Sequence, residues 1–167
     1  MYEAKQGEED VGRRWRPALM SFFLRRVRNY EEAEDLTQEV FVRMLKGQAM
    51  GSVPDAYVFQ IAQNLLVDRS RRAKVRGNYQ QGLAQGGEDL VEGLDPQRIA
   101  IGRAELARLV AALEQLPERT RTIFTLYRIE QISQDAIAEA FGISTSAVKK
   151  QVASAIAFLM KRMREIQ

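Results

Sequence analysis

Apolar residues recur along this chain at intervals of three and four, the period of helices that bury one face. Trp15, Leu19, Phe22, Phe23 and Val27 mark the inward side of a first helix over 11–27. Asn29 is placed to cap a second helix, with Glu32 completing a capping box and Glu31 adding negative charge at the positive end of the dipole. Leu36, Val40, Phe41, Met44 and Leu45 give that helix its core stripe. Residues 47–53 read as a loop. Ser52 and Pro54 then open a third helix that runs to about Arg76 and turns Val58, Ile61, Ala62, Leu65 and Leu66 inward.

After residue 97 the same period returns. Leu106, Leu109, Val110, Leu113 and Leu116 form a stripe, Pro117 restarts the chain as a first-turn proline, and Ile123, Phe124, Leu126 and Tyr127 pack the next helix. The stretch 132–152, ISQDAIAEAFGISTSAVKKQV, holds two short helical patterns hinged at Gly142. Ile137, Ala138 and Phe141 face a core, Gly142 allows a turn at positive φ, and Ile143 plugs the corner. Ser144 can then accept the free amide hydrogens of the following helix. Val148 and Val152 bury that helix and leave Thr145, Ser146, Lys149 and Lys150 outward. Short hydrogen-bonding groups followed by two cations suit a helix entering the DNA major groove by its amino end.

No run of alternating β-branched residues is long enough for a strand pair, so the expected fold class is all-α. Charge divides the chain. From 77 to 97 there is no lysine or arginine, but there are four acids and five glycines, a composition that reads as a flexible acidic linker. The expected organisation is a helical domain over 1–76, the linker over 77–97, and a second helical domain over 98–167 that ends in the helix-turn-helix.

The chain contains neither cysteine nor histidine. That removes disulfides, thiol catalysis, cysteine-ligated zinc and the commonest general base. A magnesium site built from carboxylates is left, but no glycine loop that would cradle a phosphate accompanies one. The expectation is a protein without catalytic residues, metal, cofactor or small-molecule substrate. The apolar run over 18–24 is short, is interrupted by Ser21 and follows Glu8, Glu9 and Asp10, so neither an export signal nor a membrane span is expected. A cytoplasmic location follows.

The sequence pI of 9.3 accompanies a formal charge of only +3, so the placement of the charges matters more than their sum. Arg69, Arg71, Arg72, Lys74 and Arg76 put five cations in eight residues, more than compensation of a helix dipole needs. Upstream, Tyr57, Gln60, Asn64, Asp68 and Arg71 recur on a polar face that can hydrogen-bond and stack exposed bases, each stacked base contributing about 1–3 kcal/mol. Glu34, Asp35, Gln38, Glu39 and Arg43 lie outside the core stripe of the second helix, an acidic patch suited to a protein partner. Lys161, Arg162 and Arg164 extend the cationic edge after the helix-turn-helix.

The order of these pieces resembles the extracytoplasmic-function (ECF) sigma factors, promoter-recognition subunits of bacterial RNA polymerase. YEEAEDLTQEVFVRMLK over 30–46 is similar to the part of the family's second region that grips the clamp helices of the polymerase β′ subunit. PDAYVFQIAQNLLVDRSRR over 54–72 resembles its helix that melts the promoter and reads the minus-ten element, with Val58 and Gln60 near positions the family usually fills with tryptophan and arginine. LVAALEQLPERTRTIFTLYRIEQIS over 109–133 looks like the start of the fourth region, and the helix-turn-helix looks like the minus-thirty-five reader. KKQVASAIAFL is similar to the iron-uptake regulator branch.

The resemblance implies promoter-specific initiation with core RNA polymerase and promoter DNA as partners, and an anti-sigma factor as inhibitor. It assigns polymerase binding to Glu34, Asp35, Gln38 and Glu39, and capture of the opened minus-ten strand to Asn64, Asp68, Arg69, Arg71 and Arg72. Minus-thirty-five recognition falls to Ser144, Thr145, Ser146, Lys149 and Lys150. Two rivals use the same residues differently. A stand-alone helix-turn-helix regulator would bind an operator without polymerase, usually as a dimer, yet leaves the acidic patch without a role. A nucleic-acid enzyme using carboxylates and magnesium would need a paired-acid motif that the chain does not offer.

Overall fold

The computed structural model describes residues 2–48, 55–80 and 95–165, with side chains from 10–47, 55–77 and 95–165. Seven helices and no strand occur among the described residues. They are α1 (Tyr2–Val27), α2 (Tyr30–Gln48), α3 (Asp55–Gln80), α4 (Pro96–Glu114), α5 (Glu118–Arg128), α6 (Gln134–Phe141) and α7 (Thr145–Arg164).

α1 is the pivot of the fold. Trp15, Leu19, Phe22 and Phe23 are all buried, and adjacent residues such as Phe22 and Phe23 point about 100° apart on a helix, so α1 must be covered on more than one side. α2 covers one side and α6 another. The helix is kept continuous through Pro17, which removes an internal hydrogen bond and ordinarily costs about 3 kcal/mol. Burial of the large side chains around it, at about 1.5–3 kcal/mol each, offsets that cost. Phe22 packs edge-on against Phe23 at 5.2 Å and against Phe59 of α3 at 5.1 Å, tying α1 to α3.

One hydrophobic cluster runs from α1, α2 and α3 into α5, α6 and α7, with Ile123, Leu126, Ile132, Ile137, Phe141 and Val148 sharing it with Trp15 and Val58. A smaller cluster joins Ala112 and Leu116 of the α4 segment to Ala155 and Leu159 of α7. The expected helical units therefore meet on a common core.

The Asn29 cap forms as expected, its Oδ1 accepting from the Glu32 amide at 3.1 Å. The Glu32 side chain does not close the capping box; it reaches across to Arg69 of α3. Leu45 is 46% exposed rather than part of the core stripe, because α2 is covered on the side that carries Val40 and Met44. Leu106 and Val110 are likewise exposed, since α4 packs against α7 through its carboxyl half only. Pro117 stands at the N-cap of α5 instead of inside its first turn.

The segment expected to be a linker over 77–97 is shorter than its composition implies. α3 continues past Gly77 to Gln80, where one glycine costs about 1 kcal/mol in a 26-residue helix, and α4 starts at Pro96 under an Asp95 cap. The remainder of that segment, and the start of α3 attributed to Ser52 and Pro54, lie outside the described residues. Within the expected 47–53 loop, Gly47 and Gln48 belong to α2.

Candidate nucleic-acid interface

The helix-turn-helix assembles as its residues dictate. Ser133 caps α6, its Oγ accepting from the Ala136 amide at 3.2 Å. Gly142 ends α6 at φ 62 and ψ 38, the left-handed region that glycine enters without a Cβ penalty. The Ile143 amide donates to the Ala138 carbonyl at 3.0 Å and the Gly142 amide to that of Glu139 at 3.2 Å, the paired bonds of a Schellman turn. Ser144 then caps α7, accepting from the Ala147 amide at 3.1 Å.

Val148 and Val152 anchor α7 in the core, so its opposite side faces solvent. Ser144, Ser146, Lys149 and Lys150 are exposed and Thr145 is half-buried. All five expected groups thus gather on the first turns of one helix. The Thr120 hydroxyl donates to Gln151 Oε1 at 3.2 Å, holding α7 against α5. Further along, Lys161 and Arg162 lie 3.8 Å and 3.4 Å from Glu165, so that edge is partly neutralised.

A second charged surface lies on α2 and α3. Asn64, Arg71 and Arg72 are exposed, as are Tyr57, Gln60 and Lys74 of the same helix. Asp68 and Arg69 differ. Asp68 Oδ2 is 3.8 Å from Arg43 Nη1 of α2, and the Arg69 guanidinium pairs with Glu32. Arg43 also donates from Nε to Glu39 Oε1 at 2.9 Å, so one guanidinium bridges the two helices. Exposed pairs of this kind contribute about 0–1 kcal/mol each, and their main effect is to set the register of α3 against α2. The groove they line, with Leu36, Leu65, Arg72 and Arg76, separates an acidic face from a basic one.

On the acidic side, Asp35 and Gln38 are exposed, while Glu34 and Glu39 are half-buried. Glu34 accepts from Arg16 Nη2 of α1 at 2.5 Å and from Gln38 Nε2 at 3.1 Å. The hydrogen bond from Arg16, then that from Gln38, holds the Glu34 carboxyl below its ordinary pKa, and the same pair raises that of Arg16. Glu34 is therefore a charge fixed in place. The sequence pattern did not point to Arg16, whose partner Glu34 lies on another helix, and it placed Arg43 on the acidic patch without its cross-helix partner Asp68. It also missed Glu130, buried between α5 and α6 and reached by Arg26.

The geometry defines a helix-turn-helix protein with a second, separately charged helical surface. Two family models match it: Sigma-70 region 2 over residues 13–76 and Sigma-70 region 4 over residues 106–159. The ferric citrate uptake sigma factor FecI of Escherichia coli (strain K12) is 29% identical over 143 residues, covering 83% of this chain and 80% of its own. The ECF RNA polymerase sigma factor SigW of Bacillus subtilis (strain 168) is 24% identical over 179 residues, covering 98% of this chain and 95% of its own. The solved complex of the sigma factor RpoE with the anti-sigma factor NepR from Bartonella quintana matches 98% of both chains at 22% identity, with a TM-score of 0.40. The chain belongs to the ECF sigma factors, alternative sigma factors that direct promoter-specific transcription. The family is one of DNA-binding initiation factors, and a stand-alone operator-binding regulator is not favoured.

Among the described residues no helix is long and apolar enough to cross a membrane.

Proposed function

We propose that the three charged surfaces divide the work of initiation. Asp35 and Gln38, with Glu34 and Glu39 held by Arg16 and Arg43, dock on the β′ clamp helices of core RNA polymerase. Asn64, Asp68, Arg69, Arg71 and Arg72 of α3 receive the opened minus-ten strand, offsetting base unstacking by contacts to an extruded base. Ser144, Thr145, Ser146, Lys149 and Lys150 read the minus-thirty-five duplex, where one good bidentate base contact discriminates by about 1–3 kcal/mol. The working division is 1–76, 77–97 and 98–167, in keeping with family matches that end at 76 and resume at 106.

The observation that carries this reading is the apposition of an acidic α2 face and a basic α3 face across ion pairs of Arg43 and Arg69, on a chain that also carries a capped helix-turn-helix. A simple operator-binding protein has no use for the first. The protein acts without catalytic residues, in the cytoplasm, and is restrained by an anti-sigma factor. The FecI match and the KKQVASAIAFL segment support the iron-uptake branch. The test is run-off transcription with core polymerase and genomic fragments. A transcript starting at one defined site is expected, and its absence on every fragment overturns the proposal.

A further inference from the structure

Asp68 is the odd member of the group assigned to the opened strand. The others carry amide or guanidinium groups suited to an anionic chain, whereas a carboxylate repels one. On a helix, positions 64, 68 and 71 share one side, so Asp68 stands between exposed Asn64 one turn earlier and exposed Arg71 about one turn later. Leu65, Arg69 and Arg72 occupy the adjoining side and line the α2–α3 groove with Glu39 and Arg43 of α2. Asp68 lines that groove too, so its carboxylate sits on the edge where the strand side and the groove meet.

An unmatched negative charge at that edge would weaken strand capture. At about 7 Å from one phosphate in a water-like dielectric, it lowers affinity by a factor of about three, and neighbouring phosphates within the Debye length of about 10 Å add to the loss. The neighbouring cations of α3 do not answer the charge. The Arg69 guanidinium is taken by Glu32 of α2, and Arg71 and Arg72 are exposed. Arg43 of α2 does answer it, with Nη1 standing 3.8 Å from Asp68 Oδ2. Arg43 Nε donates to Glu39 Oε1 at 2.9 Å, one turn back on its own helix, and this bond aims the guanidinium at α3. The planar fork of arginine serves both carboxylates at once.

We infer that Arg43 is a positioning residue for strand capture, holding and masking the Asp68 carboxylate so that α3 presents Asn64, Arg71 and Arg72 to the opened strand without a repelling neighbour. Arg43 stands on the groove side and acts through Asp68. The inference rests on the assignment of the α3 residues to the opened strand. It gives a half-exposed ion pair, which adds little to stability, a second role beside fixing the register of α3 against α2.

The test is a double-mutant cycle in the full-length chain, read as affinity for fluorescent oligothymidylate. Arg43→Gln should weaken binding about fivefold, because Glu39 and Asp68 lose their shared cation. Asp68→Asn should tighten binding about twofold in the unsubstituted chain but about fivefold in Arg43→Gln, restoring most of the loss. Arg43→Lys keeps the charge without the planar fork and should fall between the unsubstituted chain and Arg43→Gln. The coupling should shrink as salt rises from about 0.01 M to about 0.1 M, when the Debye length contracts from about 30 Å to about 10 Å. A purely structural role for Arg43 predicts a lower melting temperature and a loss that neither salt nor Asp68→Asn relieves. Masking is overturned by that pattern, by additive effects in the cycle, or by Arg43→Lys binding as weakly as Arg43→Gln. Run-off transcription by the unsubstituted chain separates the two levels: no specific transcript with the coupling intact sinks the functional assignment, and a transcript with additive effects sinks the masking alone.

Discussion

Replacing Gly142 by alanine isolates the backbone requirement of the DNA-reading turn. Gly142 sits at φ 62, a conformation that costs an L-residue about 1–2 kcal/mol. A Cβ there would also stand 2.7 Å from Arg14 Nη1 of α1, but that atom is the end of a flexible side chain and can swing away at small cost. The expected destabilisation of Gly142→Ala is therefore about 1–2 kcal/mol, set by the backbone, with a fall in melting temperature of about 2–8 °C for a chain of this size. Gly142→Asn should retain much of the stability, because asparagine tolerates the left-handed region. Gly12→Ala provides the opposite sign: Gly12 lies inside α1 with open space where a Cβ would stand, so alanine should stabilise by about 0.4–1 kcal/mol. Urea unfolding followed by far-ultraviolet circular dichroism measures all three. A Gly142→Ala midpoint equal to or above that of the unsubstituted protein would refute the argument that the turn needs a left-handed residue.

Lys149→Ala combined with Lys150→Ala should weaken binding to a minus-thirty-five duplex and spare core polymerase binding, whereas Asp35→Ala with Glu39→Ala should do the reverse; equal losses in both assays would contradict separate surfaces. Arg71→Ala and Arg72→Ala should each lower the salt slope of single-stranded DNA binding by about 0.7, read from titrations at several salt concentrations. Glu34 has a carboxyl pKa depressed in the folded state, chiefly by Arg16, so its contribution to stability is complete above the ordinary carboxylate range and is lost as pH falls through the folded-state pKa. The stability advantage over Glu34→Gln should accordingly be constant near neutrality and shrink below about pH 4, as measured by urea unfolding across pH.

Local chemistry was legible in the sequence wherever the relevant partners lie within a few residues. The Asn29 and Ser144 caps, the Gly142 turn, and the inward stripes through Val40, Ile61 and Val148 all follow from neighbours three or four positions away. Cross-helix choices were not legible in this way. Glu32 can answer its own helix terminus or Arg69, and only the approach of α3 to α2 selects Arg69. Leu106 and Val110 carry the same period as Leu109 and Leu113, yet α7 reaches only one side of α4. Gly77 and the acids after it marked a linker, but helix propagation carries α3 to Gln80 before the chain leaves it.

Sequence alone thus determined the all-α class, the helix-turn-helix with its outward Ser146, Lys149 and Lys150, the separation of acidic from basic helix faces, and the family. These properties depend on periodicity and local capping, which are encoded over a few turns of helix. The tertiary structure decided which charges are tied down, as Glu34 is by Arg16 and Asp68 by Arg43. It also decided that α1 would bury aromatic side chains against α6 as well as against its own unit. That second burial depends on residues more than a hundred positions apart meeting, as Arg26 meets Glu130, and no local pattern specifies such an encounter.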